Sequence, residues 1–190
     1  VIPHEGGLLE RVASWPVLAK ALLNVSSHGF RPTRGAQTAI AEAKRYVAEG
    51  HNVVVDLDIS KFFDHVNHQR LLARVGRQVQ DGRVLKLVHR MLKAKVVMPD
   101  GTKIRVEEGT PQGGPLSPLL SNIVLDELDQ QLARRGLRFV RYADDCNIYV
   151  RSQRAGERVM AATRGFIERQ LRLKLNEEKS CVSSPGKVHF

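Results

Sequence analysis

Apolar residues recur along this chain at two periods, and the period switches at glycines, prolines and asparagines. Between Arg34 and Glu49 the spacing of Ala36, Ala39, Ile40, Ala43 and Val47 predicts a helix with one buried face, stopped by Gly50. The same period predicts a helix from about Asn67 with Leu71, Leu72 and Val75 inward. Another runs from Asp81, its cap, to Lys93 and buries Val84, Leu85, Val88 and Leu92. Ser117-Pro118 opens a helix over 117–135 that buries Leu120, Ile123, Val124, Leu128 and Leu132, and a further helix covers 155–171 through Val159, Met160, Thr163, Phe166, Ile167 and Leu171. Strand signals lie between these helices. Val53 to Val55 is a β-branched run, Phe139 to Arg151 alternates in two arms about a central turn, and Leu173 and Leu175 alternate. Lys95 to Val106 reads as a hairpin turning at Asp100-Gly101. The first 26 residues hold a turn near Ile2 to Gly7, then helical spacing from Leu8 to Val25 that Pro16 interrupts.

Charge narrows the partner. The chain has 190 residues, enough for one domain with a sizeable core, and 30 Lys+Arg against 20 Asp+Glu give a net charge of +10. A polyanion is the natural partner, since Lys and Arg on phosphates release counterions, although the same charge also serves solubility. Arg83, Lys86, Arg90 and Lys93 form a stripe that suits either a phosphate backbone or a solvated face. Two cysteines, Cys146 and Cys181, are too few for a disulfide framework and match no zinc spacing, which suits a reducing, cytoplasmic compartment. No apolar run approaches the length of a membrane span and no signal-peptide pattern opens the chain, so no membrane partner is expected.

The candidate chemistry is acidic. Asp144 and Asp145 fall in the turn of the Phe139–Arg151 hairpin, where two carboxylates against a packed sheet need neutralising. Aspartates also favour turns for local hydrogen-bonding reasons. A second acidic segment, Val53 to Asp64, ends in alternating aspartates and can bring Asp58 beside that turn. Asp56, two residues earlier and on the same face, is its rival. Carboxylates from two strands suit a two-metal site for in-line phosphoryl displacement, with magnesium taking a few carboxylate oxygens and substrate phosphates.

Four stretches then share an order with one family: Ser27-His28-Gly29-Phe30-Arg31-Pro32; Asp56-Leu57-Asp58-Ile59 through Phe62-Phe63-Asp64; Gly109-Thr110-Pro111-Gln112-Gly113-Gly114-Pro115-Leu116-Ser117-Pro118-Leu119-Leu120-Ser121-Asn122; and Tyr142-Ala143-Asp144-Asp145. A fifth, Leu173 to Ser180, follows in place. Over about residues 27–183 the chain resembles the palm and part of the fingers of bacterial group II intron-encoded reverse transcriptases.

The resemblance implies an α+β fold: an antiparallel palm sheet from strands near Val53, Phe139, Ile148 and Leu173, backed by the helices at 117–135 and 155–171. Partial fingers occupy 1–50, the palm occupies 51–190, and the thumb is absent. It implies RNA-directed DNA polymerisation, with deoxynucleotides added to a primer 3′-hydroxyl on an RNA template, and intron RNA as a further partner. Two magnesium ions, or manganese in their place, would lie on Asp58, Asp144, Asp145 and the carbonyl of Ile59. Lys179 would stand near the triphosphate and protonate pyrophosphate. Phe63 would block a ribose 2′-hydroxyl, while Gln112 and Gly113 would lie against nucleotide and template base, and Arg31 near both. Each has a plainer reading: a surface lysine, a core phenylalanine, a structural turn, an arginine on local carbonyls. The segment before Ser27 departs from the family, lacking a clear counterpart of the lysine and arginine that grip the triphosphate. Two rival classes remain: a non-catalytic RNA-binding maturase fragment that keeps the palm, and another palm enzyme such as a nucleotide cyclase or RNA-directed RNA polymerase.

Overall fold

A computed structural model describes residues 24–60, 62, 66–79, 81–94, 96–97, 102–104, 109 and 117–187. The expectations for residues 1–23, for the Asp100-Gly101 turn and for Phe63, Gln112 and Gly113 fall outside them. The elements in chain order are α1 (Ala36–Ala48), β1 (Val53–Leu57), β2 (Ile59–Ser60), α2 (His68–Gln78), α3 (Gly82–Leu92), β3 (Val96–Val97) and β4 (Lys103–Ile104). They continue with α4 (Ser117–Arg134), β5 (Arg138–Tyr142), β6 (Asp145–Val150), α5 (Gln153–Phe166), β7 (Lys174–Leu175) and β8 (Cys181–Ser183).

Local chemistry sets several boundaries. Asn67 caps α2 by accepting from the Arg70 amide at 3.1 Å, and Asp81 caps α3 by accepting from the Arg83 amide at 2.9 Å. Gly50, at φ 88°, ends the chain's run out of α1 in a left-handed conformation that suits glycine. After Phe166 the chain loosens into a π-helical turn, Ile167–Leu171, which still buries Ile167 and Leu171.

The main sheet has the order β5-β6-β1-β8, with every neighbour antiparallel. β1 runs from Val53 opposite Val150 to Leu57 opposite Cys146. The fourth strand differs from the expected one. Leu173 and Leu175 do alternate into the core, but β7 pairs with β2 in a separate two-stranded ladder, and the edge beside β1 belongs to Cys181–Ser183. Period-2 patterning reports which side chains are buried and says nothing of which strand lies alongside; the edge strand, with no strongly apolar alternation, gives no such signal.

One face of the sheet, through Val55, Leu57, Phe139, Ile148 and Val150, joins Leu125, Leu128 and Leu132 of α4 and Val159 of α5 in the larger core. The other face, through Val54, Val140 and Tyr149, packs on Ala39 and Tyr46 of α1. Tyr46, absent from the expected stripe, is buried beside the Tyr149 ring, while Ile40 is 41% exposed. The real stripe runs through Ala39, Ala43, Tyr46 and Val47, leaving Ile40 at its margin. Among the described residues no helix is long and apolar enough to cross a membrane.

Candidate active site

The β5–β6 register places Tyr142 opposite Asp145, so the connection is the two residues Ala143 and Asp144. Asp145, expected within the turn, is instead the first residue of β6. Ala143 sits at φ 57°, where the first central residue of a tight hairpin turn is normally glycine. Because the β1–β6 ladder ends with Leu57 opposite Cys146, the next residue, Asp58, emerges beside Asp145. Asp56 lies further back within the sheet, between Asn147 and Cys181.

Electrostatics tie these groups together. The Asp145 carboxyl is pushed above the usual carboxylate range, first by partial withdrawal from water and then by Asp144 and Asp58, while Lys179 pulls it back. Lys179 Nζ stands 3.6 Å from Asp58 Oδ2, with the lysine 69% and the aspartate 28% exposed. Asp58, Asp144, Asp145 and Lys179 are thus neighbours at one end of the sheet. Among the described residues no three His, Cys, Asp or Glu side chains close up into a ready-made metal cage. The chemistry of the donors, hard carboxylate oxygens, fits magnesium, which takes one or two carboxylates and completes its shell with water and substrate phosphates.

The fifth motif works on the backbone of Asp58. β7 pairs Leu175 with Ile59, the Asn176 amide donates to the Asp58 carbonyl at 2.9 Å, and the Asp58 amide donates to Ser180 Oγ at 3.1 Å. Asn176 Oδ1 in turn accepts from the amides of Glu178 and Lys179 at 3.2 and 3.4 Å, an Asx turn that brings Lys179 beside Asp58. Asn176 and Ser180 were given no role from sequence, although Asn followed by a polar run is a turn signal. The Ile59 side chain is buried in the core, leaving only its backbone for a ligand role. Arg31 is nearly buried, and its Nη1 donates to the carbonyls of Asn24 and Ser27, the latter at 3.0 Å. Burial and the nearby Arg34 and Arg141 lower its pKa. His68, also missed, donates from Nε2 to the Gly109 carbonyl at 2.5 Å and anchors the head of the glycine- and proline-rich stretch.

Beneath the turn lies a charge that alternation alone would send into the core. Arg141 and Asp129 are both fully buried, and Arg141 Nε and Nη2 donate to the Asp129 oxygens at 2.8 and 2.7 Å. Nη1 donates to Asn122 Oδ1 at 2.8 Å and to the Ala143 carbonyl at 2.7 Å, and Nη2 to Ser27 Oγ at 2.8 Å. Burial alone would lower the guanidinium's pKa, but Asp129 outweighs it and the net shift is upward. The Ser27 segment pairs with β5 by a parallel bridge, and Asn122 Nδ2 donates to the Gly29 carbonyl at 2.9 Å.

An antiparallel palm-type sheet of order β5-β6-β1-β8, with helices packed on its faces, defines the reverse transcriptase fold. The chain belongs to the reverse transcriptase (RNA-dependent DNA polymerase) family, whose profile matches residues 9–190. Protein YkfC of Escherichia coli is 32% identical over 82% of this chain and 51% of its own length. The group II intron-encoded protein LtrA of Lactococcus lactis is 37% identical over 60% of this chain, and the retron Mx65 reverse transcriptase of Myxococcus xanthus is 31% identical over 90%. The chain spans about half of the first and smaller shares of the others, 19% and 41%. Candida tropicalis telomerase, solved in complex with a TWJ fragment of telomeric RNA, shares the fold, with a TM-score of 0.73 at 13% identity over 96% of this chain and 35% of that one.

Proposed function

We propose that this chain is the palm-centred part of an RNA-directed DNA polymerase of group II intron type, extending a primer 3′-hydroxyl with deoxynucleotides on an RNA template. The observation that supports the reading is that Asp58 follows β1 directly beside Asp145, next to Asp144 in the turn, with Lys179 Nζ 3.6 Å from Asp58. Asp58, Asp144 and Asp145, with the Ile59 carbonyl, would hold the divalent cations. Such ions, when bound, lower the pKa of the attacking hydroxyl and offset charge on the leaving phosphate oxygens. Lys179, exposed and free to swing from Asp58 to a triphosphate, is the group to hold pyrophosphate and hand it a proton. Phe63, Gln112 and Gly113 keep the roles implied by the family resemblance: sugar selection for the first, nucleotide and template contact for the others. The Nη1 bonds of Arg31 to local carbonyls support the plainer of its two readings.

The net charge of +10 supports contact with the template–primer backbone, and intron RNA is the further partner that the group II type adds. Primer extension with magnesium, on RNA and then DNA templates and with deoxynucleotides against ribonucleotides, tests the reading. Template-directed incorporation of deoxynucleotides is expected, and Phe63→Ala should admit ribonucleotides. No incorporation on any template, together with retained RNA binding, would favour the non-catalytic maturase fragment.

A further inference from the structure

We propose that Arg141 is a positioning residue for the aspartate turn: with Asp129, Asn122 and Ser27 it forms a buried clamp that draws in the Ala143 carbonyl and so sets where Asp144 and Asp145 stand relative to Asp58. The inference rests on the polymerase reading of the same site. Arg141 has no exposed surface and all five of its N–H donors are spent inside the protein, so it touches no substrate. Four of those bonds fix the guanidinium. Asp129 sets its plane through two oxygens, while Asn122 and Ser27 hold its flanks from α4 and from the Ser26–Gly29 segment.

The fifth bond reaches the turn. It ends on the carbonyl of Ala143, the residue held at φ 57° directly before Asp144. An alanine there needs an anchor, because non-glycine residues rarely hold that conformation.

The turn is buttressed a second time from outside the hairpin. A Cβ on Gly29 would lie 2.4 Å from the Ala143 nitrogen, so only glycine allows the Ser26–Gly29 segment to press against the turn. That segment is locked to β5 by the His28 amide on the Arg141 carbonyl at 2.8 Å and the Arg141 amide on the Ser26 carbonyl at 2.9 Å. The plainer reading is a buried ion pair that only stabilises the fold. Buried pairs, however, contribute little net stability relative to apolar residues of similar volume. An apolar side chain at this position would fill the core equally well and could not hold the Ala143 carbonyl.

Two variants separate positioning from stability. Arg141→Lys keeps a positive charge opposite Asp129 but replaces a planar fork of five donors by a three-donor point charge. Gly29→Ala pushes on the turn from the Ser26–Gly29 segment and leaves the Arg141 guanidinium chemically intact. Mn2+ binding followed by electron paramagnetic resonance, on the chain as it stands, is measured for the parent, both variants and Asp58→Asn, with thermal unfolding alongside. We expect Asp58-dependent Mn2+ binding in the parent and a dissociation constant raised at least about tenfold in both variants while each still unfolds cooperatively. In primer extension the metal concentration for half-maximal rate should rise in step, with nucleotide KM little changed. Variants that melt earlier yet bind Mn2+ as the parent does would overturn the positioning role. Should Arg141→Lys fail to fold, Gly29→Ala decides alone on the same criterion. A parent that shows no Asp58-dependent binding overturns the polymerase reading, and the positioning role falls with it.

Discussion

Two ion pairs flank the aspartate turn, and they differ in every respect that matters. Arg141 and Asp129 are fully buried, joined at 2.7 and 2.8 Å, with every guanidinium donor used. Lys179 and Asp58 stand at 3.6 Å with 69% and 28% of their side chains exposed, joined by a single contact that solvent screens. A closed pair cannot exchange partners without leaving a buried charge, so it can only hold structure. An open pair exchanges at little cost, because water or a phosphate can take either partner. On the proposed reading the labour is divided: a closed pair holds the turn from below, and an open pair is available to substrate from above.

Cutting the open side at its acidic end should have the largest effect. Asp58→Asn is expected to bring primer extension below detection with the fold intact, whereas Asp56→Asn, inside the ladder, leaves measurable extension. Equal losses in steady-state assays of the two purified variants would break the assignment of Asp58 over Asp56. On the closed side, Asp129→Ala strands a buried guanidinium and should cost about 3–5 kcal/mol of stability. Calorimetry should then show a melting temperature lower by roughly 6–20 °C. A loss comparable to that of an exposed pair would mean the clamp opens in solution.

Lys179→Ala comes next, and its signature is the reverse of that of Asp129→Ala. Its exposed pair contributes at most about 1 kcal/mol, so melting should barely move. If the lysine donates the proton to pyrophosphate, extension should slow by about 100-fold or more. Rapid-quench single-turnover rates are the readout, and an unchanged rate would return Lys179 to a surface role.

How much of this was legible depends on which signal each feature emits. Helix faces were readable because burial repeats: Leu71, Val75, Val88, Leu92, Leu120, Leu128 and Leu132 are all inside as their spacing requires. Asp58, Asp144 and Asp145 could be singled out as candidates because two acidic segments sit within motifs of the family; aspartates in a turn alone are common. The clamp was illegible. Arg141 shares parity with Phe139, so alternation turns it inward, but nothing in local sequence names Asp129 and Asn122 of α4 as the groups that meet it. Buried polar networks are written in tertiary pairings, such as Ser27 with Arg141, that no window of sequence contains. The same holds for Asn176 and Ser180, whose bonds to the Asp58 backbone span more than a hundred residues. Gly29 came closest to being readable, since a glycine within an otherwise bulky Ser-His-Gly-Phe-Arg-Pro run marks a close backbone approach.

The smallest expected effect tests whether the open side is strained by its own charges. The Asp145 carboxyl sits above its ordinary pKa through partial withdrawal from water and the neighbouring Asp144 and Asp58. The folded chain therefore binds that proton more tightly than the unfolded chain does. Stability must fall as pH rises from the unfolded carboxylate's value, near pH 4, through the higher folded value, and the penalty then persists up to neutral pH. Asp145→Asn removes the charge and should raise the melting temperature at pH 7 by roughly 1–3 °C, the scale of a partly exposed charge. Below about pH 4 the aspartate is protonated in both states, so the gain should vanish there. The same sign governs metal binding, which needs the deprotonated carboxylate: Mn2+ affinity should begin to fall at a higher pH than an isolated aspartate would give. Asp144→Asn, by removing one of the two repelling neighbours, should shift that fall to lower pH. A melting temperature at pH 7 that is unchanged or lowered in Asp145→Asn would mean that the turn, held by Arg141, already keeps the carboxylates far enough apart to carry their charge without cost.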